Sequence, residues 1–167
     1  MSGLLPDGRL MVDHARSWAQ EHWFEFEEPP SVEGVASQLS RIALRFNGYE
    51  KTGDGGGEDE VDKNLAMSRP VGVALLLAGV DHRGPVLYHL DPSGAYLQWR
   101  ARAIGEHGED AEAKLEQAEY EGMSLREAMA LVLRVFEAVL KDGFSTDRLE
   151  MACLECRSGH DWSGAVG

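Results

Sequence analysis

Apolar residues return at three- and four-residue steps in the first third of the chain, and this spacing predicts two helices. Met11, Ala15, Trp18 and His22 share one face of a helix over about 7–22, with Gly8 weakening its first turn. Beyond the acidic connector Glu25-Phe-Glu-Glu-Pro-Pro30, the stripe Val32, Val35, Leu39, Ile42 and Phe46 predicts a second helix that stops at Asn47-Gly48. The period then disappears. Residues 48–66 carry five Gly, six acids and two Lys, too little apolar surface to offset the entropy of ordering, which predicts a mobile acidic surface loop. At Pro70 the pattern changes again. Val71 to Val80 is almost continuously apolar and bounded by turn residues, as expected of a strand buried on both faces. Turns at Asp81-His-Arg-Gly-Pro85 and Asp91-Pro-Ser-Gly94 separate it from strands over 86–90 and 95–100, an antiparallel meander. Helix formers with acids in the leading turn predict a third helix over about 106–120. Ser124 and Glu127 form a capping box ahead of a broad apolar face, Leu125 to Leu140, that ends before Gly143. Leu149 to Leu154 reads as one more short strand, and 156–167 as an unstructured tail. Helices and strands are segregated rather than alternating, so the fold class is α+β with helices layered on an antiparallel sheet, and parallel-sheet folds are disfavoured.

Composition narrows the function classes. At 167 residues, 43% apolar and 27% charged, the chain has the length and balance of one globular domain. Sixteen Lys+Arg against 29 Asp+Glu leave a net charge of −13, which repels phosphate backbones and anionic lipid, so neither nucleic acid nor a membrane is an expected partner. No apolar run approaches the roughly 20 residues of a membrane helix, and Met1-Ser-Gly-Leu-Leu-Pro6 lacks the basic start and apolar core of a secretory signal. Two cysteines are too few for a disulfide framework, consistent with a reducing compartment.

Candidate chemistry is sparse. Cys153, Cys156 and His160 resemble half of a zinc site whose other half is missing, and Cys153 shares the inward parity of the expected strand with Leu149 and Met151, where it serves as a small apolar residue. No metal or cofactor is expected. Gly53-Asp-Gly-Gly-Gly57 lacks the Lys and Ser/Thr of a phosphate loop and sits among acids. The run Glu106, Glu109, Asp110, Glu112, Glu116, Glu119 has no calcium-loop spacing and reads as a solvated helix face. None of the six histidines stands beside both a nucleophile and an acid in a recognised elbow. Trp18, Trp23 and Phe24 are expected as core or interface anchors.

Three ordered stretches carry a resemblance: Met67-Ser-Arg-Pro-Val-Gly-Val-Ala-Leu-Leu-Leu-Ala-Gly-Val-Asp81, Gly84-Pro-Val-Leu-Tyr-His-Leu-Asp-Pro-Ser-Gly94 and Ala101-Arg-Ala-Ile-Gly105. They resemble the alpha-type subunits of the proteasome core particle, as do Met1-Ser-Gly-Leu-Leu5 and Val12-Asp-His-Ala-Arg16. Gln20-Glu-His-Trp-Phe24, Ser31-Val-Glu-Gly-Val35 and Ala66-Met-Ser-Arg69 are similar to the type-5 branch. The resemblance spans residues 1–155, read as a partial alpha-type domain. It implies the N-terminal-nucleophile hydrolase sandwich, two antiparallel sheets between helix layers, used without catalysis. It also implies a seven-membered ring that caps a catalytic beta ring, admits substrate through a central gate and receives a regulatory ATPase particle. The implied partners are neighbouring alpha subunits of types 4 and 6, the beta ring, faced by the first helix, and that ATPase particle. The implied setting is ubiquitin-dependent protein catabolism in cytoplasm and nucleus. Catalytic members of the family use an N-terminal threonine; Thr52 and Thr146 are both internal here, so no catalytic residue is expected.

One departure shapes what remains. In the family a segment precedes the position of Met1, so the sandwich is expected to lack its N-terminal strands and the isolated chain to be marginally stable. The lysine that binds the ATPase carboxylate falls in that preceding segment, leaving Gly3, Leu4 and Leu5 as the implied wall of the regulator-docking pocket. Two other readings stand beside this one: an N-terminal-nucleophile hydrolase using Ser2, and a free-standing acidic interaction domain that joins no ring.

Overall fold

The computed structural model describes residues 1–47, 69–119, 122–140 and 146–154. The elements run β1 (Ser2–Gly3), α1 (Leu5–Phe26), α2 (Val32–Phe46), β2 (Val73–Asp81), β3 (Gly84–Leu90), β4 (Tyr96–Trp99), α3 (Gly108–Glu116) and α4 (Leu125–Leu140), followed by a 3-10 turn at Thr146–Arg148. The strands form one sheet in the order β1-β2-β3-β4 with antiparallel neighbours, so the predicted meander is present. The predicted acidic loop over 48–66 and the tail over 156–167 lie outside the described residues.

Local chemistry explains the boundaries. Ser31 caps α2, its hydroxyl accepting the Gly34 N–H at 3.0 Å. The capping box of α4 forms as expected, with the Ser124 N–H donating to Glu127 Oε2 at 2.8 Å. The β3–β4 turn closes through the Ser93 N–H on Asp91 Oδ1 at 2.8 Å and Gly94 at φ 91, a backbone region suited to glycine. At the β2–β3 turn, Arg83 donates to Asp81 Oδ2 at 3.0 Å and to Glu33 Oε2 at 2.8 Å, fastening the hairpin tip to the start of α2.

Period-two alternation sends Val73, Leu75 and Leu77 to the same side of the sheet as Tyr88, Leu90 and Tyr96, and α1 and α2 cover that side. Met11, Leu39 and Leu90 are its largest fully buried side chains. Gly79 permits close approach: a Cβ there would lie 2.4 Å from Val32 Cγ2. Gly8 proves to be another contact point rather than merely a weak spot in α1, because it is buried and an added Cβ would meet Met1 Sδ at 2.3 Å.

Three sequence expectations are corrected. The strand over 71–80 is buried on one face only, since Leu76, Val80 and, in register with them, Leu87, His89 and Trp99 are half-exposed, with Leu97 63% exposed. No helix packs on that second side among the described residues. Leu149–Leu154 is not a strand, because a strand is held by its ladder and this segment has no neighbour to pair with among the described residues. Cys153 is therefore exposed and not an inward-facing core residue. Among the described residues α4 packs against α3 alone, and Val132, Leu133, Phe136 and Leu140 of its apolar face are 36–42% exposed.

Candidate functional site

Gly3, Leu4 and Leu5 stand together where β1 passes into α1. Gly3 pairs with Val73 at the sheet edge with φ 124, and a Cβ there would lie 2.3 Å from the Gly72 carbonyl oxygen, so this position admits only glycine without backbone movement. The Leu4 N–H donates to the Gly72 carbonyl at 2.9 Å, and its carbonyl accepts the Gly8 N–H at 3.1 Å, opening the helix. The side chains of Leu4 and Leu5 are 48% and 58% exposed, forming a small apolar ledge.

What holds the ledge is a residue pair that the sequence pattern does not single out. Asp7, 2% exposed, receives the Arg69 guanidinium as a fork, Nη2 to Oδ1 and Nη1 to Oδ2, both at 2.8 Å. The Gly72 N–H adds a third bond to Oδ2 at 2.9 Å. The only local cue is that Asp7 lies in the first turn of α1 after Pro6 and that Arg69-Pro70 immediately precedes an apolar run. The Arg69 fork, then the Gly72 N–H, hold the Asp7 carboxyl below its ordinary value of 3.8. Because the folded value is lowered, the ionised pair contributes stability fully above 3.8, and this is lost as pH falls through the folded value. Asp7→Asn is accordingly expected to lower the urea midpoint at neutral pH, with the gap to wild type shrinking as pH drops to about 3. A gap that stays constant over that range would exclude the carboxylate as its source.

The remaining candidates separate. Ser2 is half-buried within β1, paired with Ala74, and no His, Lys or acidic side chain hydrogen-bonds to it among the described residues. Cys156, His160 and Gly53-Asp-Gly-Gly-Gly57 lie outside the described residues, among which no group of three or more His, Cys, Asp or Glu is arranged to hold a metal. In the acidic run, Glu109, Glu116 and Glu119 face solvent, but Glu112 is half-buried and pairs with Arg102, whose guanidinium lies 4.4 Å over the Trp99 ring. That contact ties α3 to the end of β4. Trp18 packs at Gly34, where a Cβ would lie 3.2 Å from the indole, whereas Trp23 and Phe24 reach outward and belong to no core.

The features the described residues share are an antiparallel sheet with one covered and one bare face, an edge ledge locked by a buried ion pair, and no assembled catalytic group. No helix among them is long and apolar enough to cross a membrane. Comparison with known proteins places this arrangement. A family model described as proteasome subunit matches residues 59–154. A probable proteasome subunit alpha type-5 of Schizosaccharomyces pombe is 38% identical over 95% of this chain, and the alpha type-5 subunit of Dictyostelium discoideum 37% over 92%. The alpha type-5 subunit of Trypanosoma brucei brucei is 36% identical over 95% of the chain. The chain spans 60% of the length of each of these curated relatives. With the family model covering more than half of its residues and several relatives aligned along nearly all of it, the chain belongs to the proteasome subunit family.

Proposed function

We propose that the chain acts as a non-catalytic, type-5-like subunit of the proteasome core alpha ring, contributing to ring assembly, substrate gating and regulator docking in ubiquitin-dependent protein breakdown. The observation that carries this reading is the end-to-end match, 92–95% of the chain, to relatives named alpha type-5. The fold supports it physically. A sheet bare on one face and a helix, α4, with an unburied apolar stripe are two surfaces in want of apolar cover. In an N-terminal-nucleophile hydrolase sandwich a second sheet lies between just such surfaces, with residues 1–155 forming the alpha-type domain. The partners are then the alpha subunits of types 4 and 6, the beta ring and the regulatory ATPase particle, met in cytoplasm and nucleus, with Gly3, Leu4 and Leu5 as one wall of the docking pocket.

The hydrolase alternative is disfavoured by the isolation of Ser2 within β1 among the described residues. Co-expression of the tagged chain with the other core subunits is expected to yield a particle containing all of them, whose peptidase activity is unchanged by Ser2→Ala. Recovery of the chain as a monomer, or loss of activity in Ser2→Ala particles, would overturn the reading.

A further inference from the structure

The α3–α4 hairpin stands apart from the other elements. Among the described residues α3 packs on α4, and neither helix packs on any other strand or helix. The chain enters the hairpin through two residues in the left-handed region, Gly105 at φ 102 and His107 at φ 60. Gly105 rests against the body of the fold, where an added Cβ would lie 3.2 Å from Ser2 Oγ. His107 is the N-cap of α3 and makes no side-chain cap bond, although a residue with a Cβ seldom takes this conformation. A few element-terminal residues with unusual backbone angles are the usual makings of a hinge.

Side chains fasten the hairpin beside that hinge. Arg102 donates to Glu112 on α3, and its guanidinium lies 4.4 Å over the ring of Trp99, the last residue of β4. The two charged side chains are 25% and 18% exposed, so solvent screens their attraction little. The fastening is incomplete, because Trp99 Nε1 and Arg102 Nε are buried without a hydrogen-bond partner among the described residues. Both donors regain water when the hairpin swings away, which lowers the cost of opening.

His89 sits where it can bias the two states. It pairs with Leu97 on the bare side of the sheet, one diagonal step from Trp99. The charged groups around it are Arg102 beyond β4, Asp91 in the β3–β4 turn and Glu112 on α3, while β2 faces it with Leu76. Burial, and next Arg102, hold its ring below the ordinary value of 6.5 against the opposite pull of Asp91 and Glu112. Opening removes Arg102 and admits water, so the open form binds the proton better. The closed form is therefore fully favoured above 6.5 and loses ground as pH falls from there through the lowered value.

We propose that the α3–α4 hairpin is an arm hinged at Gly105 to His107 and latched by Arg102 to Trp99 and Glu112, and that a proton on His89 releases it. The latch lies at the margin of the sheet's bare face, so the arm governs access to that face, and the inference does not depend on the proposed ring. The test measures the distance between spin labels on Ser17→Cys of α1 and Glu137→Cys of α4, both exposed positions. The labels are carried by the full chain with Cys153 and Cys156 changed to Ser. Pulsed electron resonance is run on samples frozen from about pH 7.5 and about pH 5.5. One narrow distance is expected at the higher pH, and at the lower a displaced population enriched roughly threefold or more. His89→Gln, which cannot take the proton, should keep the narrow distance at both, and Glu112→Gln should show the displaced population at both. An unchanged narrow distance in the parent chain, a broad distribution already at the higher pH, or a displaced population that persists in His89→Gln overturns the proposal. Glu112→Gln reads the latch without the histidine, so a narrow distance in that variant overturns it even where His89→Gln fails to fold.

Discussion

Leu39→Ala is expected to lower the stability of the chain by about 2–5 kcal/mol, read as a fall in the urea midpoint with an unchanged slope. Leu39 is 1% exposed and belongs to the cluster formed by Met11, Ile42, Ala43, Leu75 and Leu90, where α1, α2 and the sheet meet. Removing its branched end deletes contacts with all three elements at once. It also enlarges an existing apolar groove of about 350 Å³ lined by Val12, Ala15, Ala19, Leu39 and Leu75, so α1 has little nearby material with which to refill the space. Domains of ordinary stability stand at about 5–15 kcal/mol, and a loss of this size is therefore a large share of the whole. A change under about 0.5 kcal/mol, the range of surface substitutions, would show that Leu39 is not at the junction.

The second large effect is expected at Gly79, where the sheet passes close to the start of α2. Gly79→Ala places a methyl carbon 2.4 Å from Val32 Cγ2, well inside van der Waals contact, so the first turn of α2 must shift or Val32 must leave its rotamer. Overpacking of this kind costs about 1–3 kcal/mol. The cause can be isolated by a double-mutant cycle. Val32→Ala removes the opposing methyls, and in its presence the Gly79→Ala penalty is expected to shrink by at least about 0.5 kcal/mol. Equal penalties in the two backgrounds would show that contact with Val32 is not the source of the cost.

Much of this molecule is legible along the chain because its signals are local. The 3.6-residue stripe from Val32 to Phe46 and the Ser31 cap specify α2; the turns at 81–84 and 91–94, each opening on Asp and closing on Gly, specify the meander; Ser124 and Glu127 specify the start of α4. Each depends on residues within a few positions of one another, so nothing distant has to be known. α1 runs to Phe26 rather than His22 because Trp23 and Phe26 continue as helix without joining the buried face, and a hydrophobic stripe marks only the part of a helix that is covered. The ledge at Gly3, Leu4 and Leu5 is nameable only through a family resemblance carried by ordered motifs, since neither its exposure nor its bracing has a local signature.

Sequence alone determined the α+β class, the order of the elements from α1 to α4 and the family, because periodicity, turn chemistry and collinear motifs are properties of neighbours. Only the tertiary structure decided that Asp7 and Arg69, separated by 62 positions, form a buried fork, that Gly8 and Gly79 are points of close approach, that β2 is covered on one side, and that 149–154 forms no strand. These outcomes depend on which surfaces meet: a carboxylate is buried when a distant guanidinium arrives to neutralise it, and an extended segment becomes a strand when another strand lies beside it to accept its hydrogen bonds.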